Sequence, residues 1–95
     1  MSLEGFLNEI KGTTNSPKYS QLVQLSELSG EQVDVFKSLW SSTPESRKTT
    51  VLERLTQLAD ENFALDFSIV FNESLKDESG HVREKAIRGL WESED

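Results

Sequence analysis

At 95 residues, with 17 acids against 10 bases, the chain carries a formal charge of −7 and contains no cysteine. Disulfides and thiolate metal sites are excluded, and the negative charge opposes phosphate backbones and anionic lipid heads, which turns the reading away from nucleic-acid or membrane binding. The length favours a single domain over 1–95 with one modest core, and 35% hydrophobic residues with eight aromatics are enough to fill it. The absence of cysteine fits a reducing, cytoplasmic setting, and no apolar run reaches the length of a membrane span or a signal-peptide core.

The first predicted helix runs from Leu3 to Lys11, because Leu3, Phe6, Leu7 and Ile10 fall at i, i+3, i+4 and i+7. Thr13 to Pro17 then reads as a linker. Beyond it Leu22, Leu25 and Leu28 recur every three residues. That spacing predicts a short 3₁₀ or irregular segment anchored by its leucines. A second helix is expected from about Gly30 to Ser41, with Ser29 and Gln32 at capping-box spacing and Val33, Phe36, Leu39 and Trp40 facing inward.

The third helix has the strongest start signal, with Thr43 as N-cap, Pro44 at the first helical position and Glu45 at the positive end of the dipole. Its inward face is Val51, Leu52, Leu55, Leu58 and Ala59, and Arg47, Lys48, Glu53, Arg54 and Gln57 take the solvent side. It should stop at Glu61–Asn62, where Asn suits a left-handed end. After an apolar bridge at 63–65, Asp66 caps a fourth helix, Phe67 to Lys76, packing through Phe67, Val70, Phe71 and Leu75. The turn Asp77–Gly80 leads to a fifth helix, ending near Glu92, whose stripe is Val82, Ala86, Ile87, Leu90 and Trp91. Glu84 and Arg88 stand at i,i+4, a spacing that suits an ion pair. Nothing alternates as a half-buried strand does, so the fold class is all-α, with about five helices.

The run from Leu75 to Leu90 resembles the hairpin turn and second helix of a HEAT repeat, most closely the short bacterial form related to phycobilisome-lyase HEAT-like repeats. Asp77, Val82, Arg83, Ala86, Ile87 and Leu90 match the family pattern, whereas Glu78 and Gly80 stand in a turn where proline is usual. The resemblance covers residues 66–92, and 43–76 is similar, less specifically, to the lead-in some bacterial HEAT proteins carry. It implies an α–α superhelix ending in an antiparallel helix hairpin, with 1–62 as an N-terminal cap and 63–95 as the repeat. It also implies polar turn contacts from Asp77 and Arg83. Small Ala86 lets a neighbouring helix approach, and Val82, Ile87 and Leu90 are expected to fill the hairpin. Arrays normally need three or more units. Helices one to four should therefore either close the core as a cap or open a longer array, and the acidic tail 92–95 favours the cap.

The expected function is accordingly a protein–protein interaction or scaffold module, whose partner is another protein or a second copy. Its surface should lie around Val82, Ile87, Leu90 and Trp91, divided between core and exposed seam. The resemblance makes a bilin-lyase accessory role one alternative, although so short a chain encloses little concave surface, and a structural capping domain with no independent activity is the other. No catalytic, cofactor or metal site is expected. His81 with Asp77 and Glu78 makes a poor metal cluster drawn from one turn, and Val82 stands where a calcium loop counted from Asp77 needs glycine. No serine sits in a nucleophile elbow, and no glycines cluster into a phosphate loop. Trp40 continues a core stripe, whereas Trp91 lies in the last turn, where a partner would pack.

Overall fold

The computed structural model describes residues 5, 7, 19–62 and 64–93. Among them are four helices of seven residues or more and no strand. These are α1 (Glu31–Ser41), α2 (Glu45–Glu61), α3 (Ser68–Ser74) and α4 (Gly80–Ser93). Among the described residues the count is thus four, where five helices were expected over the whole chain. The helix expected over 3–11 lies outside the described residues except for Gly5 and Leu7, both helical, with Leu7 fully buried. The threefold leucine spacing appears as expected: one helical turn, Tyr19–Leu22, runs into a 3₁₀ turn, Val23–Leu25, and Leu22, Leu25 and Leu28 are all in the core.

Two features at the helix starts differ from the sequence reading. Ser29 does not cap α1 with its side chain. Gly30, at φ 54°, makes the entry, and the Gln32 and Val33 amides donate to the Ser29 and Gly30 carbonyls. Thr43 belongs to the end of α1 rather than the start of α2, since its hydroxyl donates to the Leu39 carbonyl at 2.9 Å and Pro44 takes the N-cap position. Asn62 ends α2 in an extended conformation, not a left-handed one, and its Oδ1 accepts from the Ala64 amide. Asp66 does precede α3, its carboxylate accepting from the Ser68 amide at 3.0 Å, but α3 is shorter than expected, with Leu75 and Lys76 in the turn that follows.

The core is built by the apolar stripes of these elements. Phe36 and Trp40 of α1 stack with ring centroids 5.2 Å apart. The Trp40 indole donates to Ser74 Oγ, which in turn donates to the Val70 carbonyl, so a buried polar pair ties α1 to α3 with its hydrogen bonds met. Val51, Leu52 and Leu55 of α2, and Phe67, Val70 and Phe71 at α3, are 2% exposed or less. A clip joins the early chain to the α2–α3 connection: the Glu27 amide donates to the Asp66 carbonyl at 2.8 Å, and the Asp66 amide donates to Ser26 Oγ at 2.8 Å. The last helix, α4, packs against both α2 and α3, most extensively against α2. Among the described residues no helix is long and apolar enough to cross a membrane.

Candidate interaction surface on the last helix

The start of α4 is set by a polar junction. Ser79 caps it, with Oγ accepting from the Val82 amide and its carbonyl accepting from the Arg83 amide, while the hydroxyl donates to Glu45 at the first turn of α2. One residue pair back, Asp77 accepts the Ser79 amide at 2.9 Å, and the Arg83 guanidinium donates to the Asp77 carbonyl at 3.0 Å. Both turn residues named from sequence therefore make polar contacts: Arg83 within this turn, and Asp77 within it and to α2 as well.

The partner of Asp77 was missed. Lys48, expected on the solvent side of α2, is buried and donates its ammonium to Asp77 Oδ2. Its register carried the signal, because Lys48 stands at i to Val51, Leu52 and Leu55 at i+3, i+4 and i+7, squarely on the apolar stripe. Burial alone would raise the Asp77 carboxyl. The hydrogen bond from Lys48, that from the Ser79 amide, and the charges of Lys48 and Arg83 outweigh it and hold the group below its ordinary value.

With the turn fixed, the two sides of α4 separate. Val82 and Ala86 are fully buried, Gly89 is buried beside them, and Leu90 is half-buried at the core edge. Gly89 lies so close to Phe71 that a Cβ there would stand 2.3 Å from the ring edge. The helix thus turns its small residues inward, which brings it onto α3. Two large residues of the expected stripe are left out: Ile87 is 50% exposed and Trp91 80%. Ile87 is therefore not the hairpin filler the sequence reading made it, and Val82 offers nothing to a partner. Among the described residues Ile87 and Trp91 are the exposed large hydrophobics, and they stand one turn apart on the same face.

Arg83, Glu84 and Arg88 border this seam and are exposed. Glu84 and Arg88, despite their spacing, are not joined by an ion pair; Lys85 instead reaches Glu53 of α2 at 3.7 Å. His81 is exposed on the α2 side with Glu45 and Lys85 near it, and among the described residues no three potential metal ligands converge. Comparison with known proteins adds no assignment, since no family model, curated protein or solved structure matches the chain.

Proposed function

We propose that the chain is a protein-binding module, a HEAT-like helical hairpin whose last helix keeps one face for the core and offers the opposite face to a partner protein. The observation that carries this reading is the pair Ile87 and Trp91, exposed together on one face of α4 while smaller residues of the same helix are buried. Single exposed apolar residues need no explanation, but an exposed tryptophan beside a second large apolar side chain is the composition of a binding anchor. Leu90 continues the seam to the core edge, so a bound segment would rest on a rigid floor. The partner class is protein, because a net charge of −7 disfavours phosphate backbones and anionic lipid. The lack of cysteine accords with a reducing cytoplasmic setting.

Panning the immobilised chain against a library of displayed amphipathic helices tests the reading. It expects enriched helices whose binding falls at least about tenfold with Trp91→Ala, with the fold unchanged by circular dichroism. Enrichment indifferent to Trp91→Ala and Ile87→Ala, or no enrichment, would overturn it.

A further inference from the structure

We propose that the partner covering this seam is a second copy of the chain, its α4 lying antiparallel on the first across a two-fold axis near Ile87; this rests on the binding-module reading above. The argument is the self-complementarity of the exposed face. A two-fold contact uses the same patch twice, so each residue must suit what the axis places opposite it. Ile87 and Trp91 are one turn apart, and Trp91 leans back toward the start of its own helix. An antiparallel mate therefore brings each Trp91 over the other copy's Ile87, twice. On one flank of the seam Glu84 and Arg88 are also one turn apart and are not paired with each other, nor with any other described residue. The same axis sets Glu84 of each copy within side-chain reach of Arg88 of the other, giving two opposite-charge pairs. On the other flank the stem of Arg83, whose head is held by the Asp77 carbonyl, faces the mate's half-buried Leu90.

Charge also bears on where the copies approach. The described seam border carries two arginines against one glutamate, whereas the whole chain is at −7. This face therefore lacks the acidic excess of the rest of the chain, and the crossed Glu84 and Arg88 pairs set opposite charges together there. Area sets the strength. A Trp at 80% exposure with an Ile at 50% leaves apolar surface on the order of 250 Å² per copy. With the charged flanks the pair would bury roughly 1,000 Å² in total, where specific interfaces begin. The dimer is accordingly weak and fast.

Sedimentation equilibrium between about 10 µM and 1 mM reads this directly, with Kd expected at about 0.1–1 mM. Trp91→Ala should weaken association at least about tenfold. Arg88→Glu, which sets acid against acid, should weaken it about three- to tenfold, and adding Glu84→Arg to Arg88→Glu should restore it to within about twofold. All three positions are exposed, so circular dichroism should be unchanged. A monomer throughout the range overturns the second copy as occupant. If seam-dependent capture of library helices persists in that case, the binding-module reading stands; if capture fails too, both fall. A dimer unmoved by Trp91→Ala, or by Arg88→Glu, places the contact elsewhere and overturns the proposal as well.

Discussion

Gly89→Ala sets two physical effects against each other, and the structure decides between them. In a helix interior, alanine is favoured over glycine by about 0.8–1.0 kcal/mol, so propensity alone predicts a gain. The added Cβ would stand 2.3, 2.4 and 2.7 Å from Phe71 Cε1, Cζ and Cδ1. Ordinary carbon contacts are about 3.5–4.0 Å, so the ring or the helix must move by more than about 1 Å. Phe71 is fully buried within the core cluster, so its ring cannot yield into solvent. Overpacking of this kind costs about 1–3 kcal/mol or more, and a shift this large belongs at the upper end. Net destabilisation of about 1–2 kcal/mol follows, which lowers Tm by roughly 5–15 °C for a domain of this size. Urea melts followed by helical circular dichroism measure it. The same substitution in a Phe71→Leu background, where the ring edge is gone, should be neutral or stabilising, a coupling of at least about 1 kcal/mol. A Gly89→Ala chain more stable than wild type would refute the close approach of α4 to α3.

Three further outcomes follow from the packing. Lys48→Met should cost about 1–3 kcal/mol at neutral pH, because it leaves the mostly buried Asp77 carboxylate without its ammonium. The folded Asp77 pKa is lowered, so its contribution is fully present above the unfolded value near pH 4 and is lost as pH falls through the folded value. Urea melts run from neutral to strongly acidic pH should therefore show the Lys48→Met deficit shrinking only in acid, and a deficit independent of pH would separate the loss from this ion pair. Glu27 holds φ at 53° while exposed. Glu27→Gly should thus stabilise by about 0.5–1 kcal/mol, strain relief of about 1–2 kcal/mol exceeding the added unfolded-state entropy; Glu27→Val should destabilise, and thermal melts that order them the other way reject the strain. Leu55→Ala, at a fully buried position, should cost about 2–5 kcal/mol in the same melts, and an unchanged midpoint would place Leu55 outside the core.

The helical periodicity of 31–61 was legible because large apolar residues recur over many turns: Phe36 and Trp40, then Val51, Leu52, Leu55 and Leu58, are buried as their spacing implied. The leucines at 22, 25 and 28 were legible for the same reason, at the tighter 3₁₀ period. What failed was local choice between equivalent partners. Thr43 stands between two helices four residues apart, and its hydroxyl serves the carbonyls behind it rather than the amides ahead. Lys48 sat on the apolar register, but its charge argued for solvent, and the acid that takes it lies 29 residues away in sequence. On α4, hydrophobicity pointed the stripe through Ile87 and Trp91. Ala86 and Gly89, the small residues that permit close approach to Phe71, chose the buried face instead. The exposed seam was thereby half visible. Trp91 in the last turn was singled out, whereas the outward turn of Ile87 depends on a contact with α3 that spacing along one helix does not reveal.

The two tryptophans report separately on core and seam, so a single-tryptophan chain made by Trp40→Phe isolates Trp91. In the dilute monomer its emission should be that of a water-exposed indole, quenched freely by acrylamide. It should shift to the blue and lose that quenching when an amphipathic helix from the panning experiment saturates the chain. An indole already shielded in the free monomer, or one still fully quenched at saturation, would contradict a last helix that holds its second face open for a partner.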